Sequence, residues 1–289
     1  MSGDLLPPSI AVVVLGLASS VTWGTSDFFG GLTTKRAPLL PVLMISQLVG
    51  VAIALPFVAI RGEAIPAGGD IGLSVASGLL GVVGLGSLYH GLAVGRMGVV
   101  APTCGVLVAA IPVAFGLATQ GTPQPLVLAG IVLAIASVAV VSRVPSEEPD
   151  RSSGFGWGLA AGLALGGFTI TISGVTHGLV FGPLAIVRTT EALVCLAAIL
   201  ATRRSWRISR ELWPAVIGVG LLDMTGTAAY LAAVQIGPLA VAAVLSALYP
   251  AATVLLASTV LRERLARPHI VGLLGAAFAV VLIVGGQAG

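Results

Sequence analysis

Charge is what this sequence has least of. Asp, Glu, Lys and Arg make up 9% of its 289 residues, against about 25% in a soluble globular domain. Hydrophobic residues make up 57% of the chain. So few charges cannot cover a water-facing globular surface, so the composition excludes a soluble protein and indicates one embedded in a bilayer.

The residues and motifs of several enzyme classes are missing as well. Lys35 is the only lysine and does not end a P-loop, and neither GxSxG nor HExxH occurs. Cys104 and Cys195 both fall inside apolar segments, and the three histidines share no ligand spacing. We therefore expect no cofactor, no metal site and no ATP-driven step. We interpret the net charge of +3 as a sign of membrane topology and not of nucleic-acid binding.

Ten apolar segments, bounded by charges, prolines and glycine clusters, are long enough to cross a membrane. A span needs about 20 mostly apolar residues, and single apolar runs must be helices because lipid cannot satisfy the backbone groups of an open strand. The sequence therefore predicts an all-α integral membrane protein with ten transmembrane helices. The predicted spans are 10–33, 39–60, 71–94, 99–119, 125–141, 154–175, 181–201, 212–234, 240–261 and 268–286.

Basic residues are distributed unevenly between the two sets of loops. The loops after the odd-numbered spans hold twelve Lys and Arg residues, whereas the opposite side holds only Arg61. Cytoplasmic loops carry the excess of basic residues in membrane proteins. We therefore predict a multi-pass protein of the plasma (inner) membrane with the odd loops in the cytoplasm and both termini outside.

The two halves of the chain resemble each other as repeats. We interpret the polar segment 142–153 as a cytoplasmic linker between a first repeat, 1–141, and a second, 154–289. Because each half has five helices, the second half runs inverted to the first, as in secondary transporters that bind substrate where their halves meet. A shift of 142 residues keeps loops and helix starts in register and aligns several residues: Gly24 with Gly166, Pro41 with Pro183, Gly84 with Gly226, Gly95 with Gly237 and Gly130 with Gly272.

The segment 246–265, SALYPAATVLLASTVLRERL, followed by Gly272, resembles the second-repeat signature of the EamA type of the drug/metabolite transporter (DMT) superfamily. The first half has a matching segment, 109–130, and Trp23 begins a pair with glycine that resembles the family's opening helix. The acidic loop residue of this signature is Glu263, and its counterpart in the first half is Gly121. The resemblance implies a ten-helix transporter with helices 1, 3, 4, 6, 8 and 9 around a central cavity.

Four charged residues lie inside the predicted spans: Asp27, Arg188, Glu191 and Asp223. Each costs about 2.5–3.5 kcal/mol on insertion scales, so such groups tend to face a cavity or a partner. Arg188 and Glu191 are three residues apart on one helix face, and they form either a structural ion pair or part of the coupling machinery. Asp223 has Gly81 as its counterpart in the first repeat, which favours a functional role over a role in the shared fold.

Aromatic and polar side chains accompany these charges. Carboxylates with aromatic walls suit a cationic or zwitterionic solute, through charge pairing and cation–π contact; alternatively, the aromatic residues only pack the core. Asp27 follows Trp23 by about one helical turn, and its carboxylate either alternates between a proton and the substrate or marks the membrane boundary. The candidate substrate-binding residues are Trp23, Asp27, Tyr89, His90, Asp223, Tyr230 and Tyr249.

Together these features predict a secondary active transporter that moves a small metabolite or drug by alternating access, with protons as the expected coupling ion. The resemblance alone implies export. Two other classes stay open: a membrane enzyme acting on a lipid-linked substrate, for which Asp27 with His90 is the candidate pair, and an accessory subunit. The expected partners are the small-molecule substrate, protons and the lipid bilayer, and the protein is expected to be a monomer or homodimer.

Overall fold

The computed structural model describes residues 7–94, 97–142, 154–203, 205–260, 262 and 267–288, and within them every regular element is helical. A short 3₁₀ turn, Arg210–Leu212, leads into α8. The all-α membrane fold predicted from the sequence is confirmed. The helices are α1 (Pro8–Thr34), α2 (Leu39–Arg61), α3 (Gly68–Val94), α4 (Met97–Gln120), α5 (Pro125–Val141), α6 (Phe155–Ser173), α7 (Phe181–Thr202), α8 (Trp213–Ile236), α9 (Leu239–Ser246), α10 (Tyr249–Val260) and α11 (Arg267–Ala288).

Nine apolar stretches of the described chain are long enough to cross a membrane, and α5 is a shorter tenth. The prediction of one continuous helix over 240–261 is wrong, because this crossing consists of α9 and α10. Pro250 gives the physical reason: it has no N–H to donate to the carbonyl of Ser246, and its ring opposes the preceding turn. The first helix therefore ends at Ser246 and the second begins at Tyr249.

Helices of the two halves pack in matching pairs. α1 packs on α8 as α6 packs on α3, and α4 packs on α6 as α1 packs on α9 and α10. The pairs α2 with α7 and α5 with α11 each join equivalent helices. Two five-helix units related by a twofold axis between them produce this pattern. Of the predicted linker only Ser142 belongs to the described residues, and Glu263 lies outside them.

Two equivalent glycines allow close approach of neighbouring helices. A Cβ built on Gly24 of α1 would lie 2.7 Å from the Cβ of Ala252, and closer still to the backbone oxygen of Tyr249. A Cβ built on Gly166 of α6 would lie 3.0 Å from side-chain atoms of Ile111 in α4. Small residues let helix backbones approach in lipid, where packing drives association. These contacts hold α1 against α10 and α6 against α4.

Two carboxylates tie the segment between α6 and α7 to neighbouring elements. Glu63 Oε2 accepts hydrogen bonds from the backbone N–H groups of residues 180–182 at 3.1, 2.8 and 2.9 Å. Asp70 Oδ1 accepts one from the N–H of Thr176 at 2.8 Å. Glu63 thus satisfies free N–H groups at the start of α7, where the helix dipole favours an anion. We call Glu63, Asp70 and the segment 174–182 the carboxylate clasp; it lies at the end of the bundle opposite the basic loops.

Candidate functional site

A cavity of about 90 Å³ lies between helices of the two halves. Side chains from α1, α3, α4, α6, α7, α8 and α10 line it. Because lining residues exchange under the shift of 142 residues, the cavity lies on the twofold axis that relates the packing pairs. The four equivalent pairs are Trp23 and Leu165, Asp27 and Thr169, Gly81 and Asp223, and Leu85 and Thr227.

Equivalent positions in this cavity carry different chemistry. The packed helices α1 and α8 form what we call the charged wall, which consists of Trp23, Asp27, Asp223 and Thr227. The packed helices α3 and α6 form the apolar wall, which consists of Gly81, Leu85, Leu165 and Thr169. The hydroxyl of Thr169 adds little polarity, because it already donates to the carbonyl of Gly166 at 2.8 Å. The cavity is therefore amphipathic.

Arg188 of α7 joins the charged wall through an ion-pair network. Its Nη1 atom lies 3.0 Å from Glu191 Oε2 and 2.8 Å from Asp223 Oδ2. Nη1 also donates to Gln47 Oε1 at 2.9 Å, and Nη2 donates to the hydroxyl of Thr227. The structure thus contains the pair that the spacing of Arg188 and Glu191 predicts. It adds a second carboxylate, Asp223, to the same guanidinium.

Thr227 connects this network to α1. Its hydroxyl accepts a hydrogen bond from Trp23 Nε1 at 3.2 Å and donates to the backbone carbonyl of Asp223 at 2.9 Å. The side chains of Arg188 and Glu191 are each 3% exposed, whereas that of Asp223 is 26% exposed. The network therefore has a buried part on α7 and one carboxylate that remains open to its surroundings.

Asp27 is a carboxylate of the cavity that stands apart from this network. Within the part of the chain that the structure describes, its half-buried side chain makes no hydrogen bond and no ion pair. Its neighbours across the lining include Trp23 and Tyr249. A charged group without a partner in apolar surroundings is costly. A proton or a bound cation would remove that cost.

Residues 152–285 match the model of the EamA-like transporter family. This half of the chain belongs to that family. A protein of known crystal structure is similar over 96% of both chains, with a TM-score of 0.71 and 18% sequence identity. At this identity the likeness shows the fold alone, and no curated protein matches the chain. The chain is therefore a multi-pass membrane protein whose second half is an EamA-like transporter unit.

The EamA-like half and the first half contribute different groups to the cavity. The EamA-like half supplies Arg188, Glu191 and Asp223, so the whole ion-pair network except Gln47 comes from it. The first half supplies Asp27. The carboxylate without a partner and the paired carboxylates thus come from opposite halves.

The two predicted tyrosines of the EamA-like half take different positions. Tyr249, at the start of α10, lines the cavity. Tyr230 is fully buried: its hydroxyl donates to the carbonyl of Thr169 at 3.1 Å, and its ring centroid lies 5.6 Å from that of Trp23. Tyr230 therefore connects the charged wall to the apolar wall from behind and does not face the cavity.

Tyr89 and His90 lie outside the cavity lining. A Cβ built on Gly30 would lie 3.7 Å from the Tyr89 hydroxyl, so this hydroxyl reaches α1 about one turn beyond Asp27. His90 is exposed, and its ring meets that of Trp157 edge-on with 4.5 Å between centroids. The structure does not bring His90 to the cavity that Asp27 lines, so we leave His90 out of the proposed site.

The apolar wall was not predicted from the sequence. Leu85 and Leu165 have no polar group that would single them out among many apolar residues. The shift of 142 residues could have found them, because it carries Thr227 onto Leu85 and Trp23 onto Leu165. A repeat therefore indicates the second wall of a cavity once one wall is known.

Proposed function

We propose that this chain is a secondary active transporter that moves a small cationic or zwitterionic metabolite or drug across the plasma membrane by alternating access. The observation that carries the proposal is the cavity between the two halves, lined by three carboxylates and one guanidinium: Asp27, Glu191, Asp223 and Arg188. Transporters built from inverted repeats bind their substrates at this kind of interface.

The charge count of the cavity supports a cationic substrate. Arg188 balances one of the three carboxylates, so two negative charges are left over if all three are ionised. Excess charge inside a membrane protein is expensive and tends to serve ion or substrate pathways. The rings of Trp23 and Tyr249 add faces for cation–π contact. The volume of about 90 Å³ suits a small solute or the head of a larger one.

Proton coupling is proposed from Asp27. Its carboxylate has no partner among the described residues, so it is free to take up either a proton or the cation. Competition between the two for one carboxylate couples their movements, because release of one accompanies binding of the other. Export is proposed from the family resemblance, and the basic loops support an orientation with both termini outside.

Transport is favoured over the enzyme alternative by the placement of the polar groups. The enzyme would need acids and a histidine at one site, and His90 lies outside the cavity lining. An accessory subunit would have no use for a buried ion-pair network beside an internal cavity. The polar groups of Arg188, Glu191 and Asp223 fit a transport path better than either alternative.

The proposal is tested with purified protein in liposomes that contain a pH-sensitive dye. Tetramethylammonium and small primary alkylammonium ions are added with and without a pH gradient. The parent protein should move protons against the cation flux. Asp27→Asn keeps the shape of the side chain but cannot release a proton, so we expect normal expression and at least about tenfold slower gradient-driven transport, about 1.4 kcal/mol or more.

Thr169→Val is the matched control, because Thr169 is the equivalent of Asp27 on the apolar wall and its hydroxyl bonds to its own helix. This variant should transport like the parent protein. Unchanged pH dependence in Asp27→Asn would leave Asp27 as a boundary residue. Cation flux that ignores the pH gradient in the parent protein would contradict proton coupling.

A further inference from the structure

We infer that Asp223 is an exchangeable partner of Arg188, which leaves the guanidinium to bind the substrate cation while Glu191 and Gln47 keep Arg188 in place. Arg188 is then a positioning residue: a tethered cation that competes with the substrate for one carboxylate. The inference rests on the proposed function, because it names the group that meets a cationic substrate.

The acceptors around Arg188 Nη1 outnumber its hydrogens. This nitrogen carries two hydrogens, and three acceptor oxygens lie within 3.0 Å of it, on Glu191, Gln47 and Asp223. At any moment two of these acceptors share one hydrogen. If Asp223 leaves, Glu191 and Gln47 match the two hydrogens one to one. Departure of Asp223 therefore leaves Nη1 fully hydrogen-bonded and still paired with a carboxylate.

Exposure decides which acceptor leaves. The side chain of Asp223 is 26% exposed, whereas that of Glu191 is 3% exposed and Gln47 is buried. Glu191 is also confined by its second oxygen, Oε1, which occupies the space that a side chain at Gly81 would take. Asp223 is the one acceptor of the three with room to turn.

Arg188 itself is held by contacts that do not involve the Asp223 carboxylate. Its Nη2 donates to the hydroxyl of Thr227, and that hydroxyl accepts a second hydrogen bond from Trp23. Its aliphatic stem packs on α2, where a Cβ built on Gly50 would lie 3.0 Å from the Arg188 Cγ. The guanidinium therefore stays while the carboxylate moves.

The test measures the reactivity of Asp223 with dicyclohexylcarbodiimide, which modifies protonated carboxyl groups in apolar surroundings. Labelling of the purified protein at one pH is read by peptide mass mapping. In Glu191→Gln, Asp223 becomes the sole counterion of Arg188, so we expect its labelling to fall about tenfold. Adding Arg188→Gln to that variant removes the tethered cation, and labelling should rise above that of the parent protein.

A merely structural network would not give this order. Glu191→Gln leaves one acid for one base, so it should fold, as checked by size-exclusion chromatography. If it does not fold, Gln47→Leu replaces it, because this variant removes the other acceptor without changing a charge and should also lower Asp223 labelling. Equal labelling of Asp223 in the parent protein and in the folded variant would overturn the inference.

Tetramethylammonium separates this inference from the proposed function. Protection of Asp223 by the cation, together with the expected labelling order, supports both. The expected order without any protection by the cation supports the exchange and contradicts the cationic substrate. Protection with equal labelling in the parent protein and Glu191→Gln supports the cationic substrate and overturns the exchange.

Discussion

The charged wall and the apolar wall of the cavity occupy equivalent places in the two halves, yet their side chains differ at every paired position. Asp27 stands where the other wall has Thr169, and Asp223 stands where it has Gly81. The helices that carry them pack in equivalent pairs. The repeat therefore sets where a side chain enters the cavity, and departures from the repeat set what the cavity can bind.

Gly81 shows how one departure depends on another. Its equivalent, Asp223, extends to Arg188, while the space beside Gly81 is filled by the carboxylate of Glu191. Both carboxylates thus meet the same guanidinium from positions that are not equivalent. We expect a bound cation to place its charge against α1 and α8 and its apolar part against α3 and α6.

The largest expected effect comes from removing the base of the charged wall. Arg188→Gln leaves Glu191 and Asp223 without their counterion, and breaking a buried pair by removing one partner costs about 3–5 kcal/mol. We expect a strong loss of folded protein, measured as yield and melting temperature in detergent. Asp223→Asn should fold, because Arg188 keeps Glu191. A melting temperature of Arg188→Gln equal to that of the parent protein would show that the network contributes no stability.

A smaller effect is expected on the apolar wall. Gly81→Ala would place a Cβ against Glu191 Oε1, and overpacking of this kind costs about 1–3 kcal/mol. Gly86→Ala is the matched control on the same helix, since a Cβ there meets no atom within 4 Å. We expect a lower melting temperature for the first variant and no loss for the second. Equal melting temperatures would mean that Glu191 has room to move, which would also weaken the argument that it is confined.

The smallest effect is expected from the equivalent glycines behind the two walls. At Gly24 a new Cβ meets a backbone oxygen of α10, which cannot move by itself, whereas at Gly166 it meets only the side chain of Ile111. Gly24→Ala should therefore destabilise the protein by about 1 kcal/mol more than Gly166→Ala. Thermal unfolding of the two variants measures the difference. The reverse order would show that α10 adjusts more easily than Ile111.

The helices could be predicted from the sequence because lipid requires long apolar runs, but the break within one crossing could not. Pro56 and Pro112 lie inside the unbroken helices α2 and α4, whereas Pro250 follows a break. A proline removes one backbone hydrogen bond in each case. Whether the helix then continues depends on the packing around it, which the sequence does not show.

The same limit applies to the cavity. The spacing of Arg188 and Glu191 predicts their contact because both lie on one face of one helix. The contact of Arg188 with Asp223 depends on how α7 and α8 are placed, and no local spacing encodes that placement. His90 follows Tyr89 directly, so the two point to different faces of α3, and His90 meets Trp157 instead of the cavity.

The carboxylate clasp has a thermodynamic consequence for a transporter of the proposed kind. Two inverted halves of identical sequence would make the two end-open states equal in free energy, because exchanging the halves converts one state into the other. Ser205 and Leu212 are the equivalents of Glu63 and Asp70, so these two carboxylates act at one end only. Thr34, the equivalent of Thr176, bonds to its own helix instead. A difference of about 1.4 kcal/mol already favours one state tenfold. The clasp therefore gives the empty protein a resting state closed at its end, which substrate or protons must supply the free energy to open.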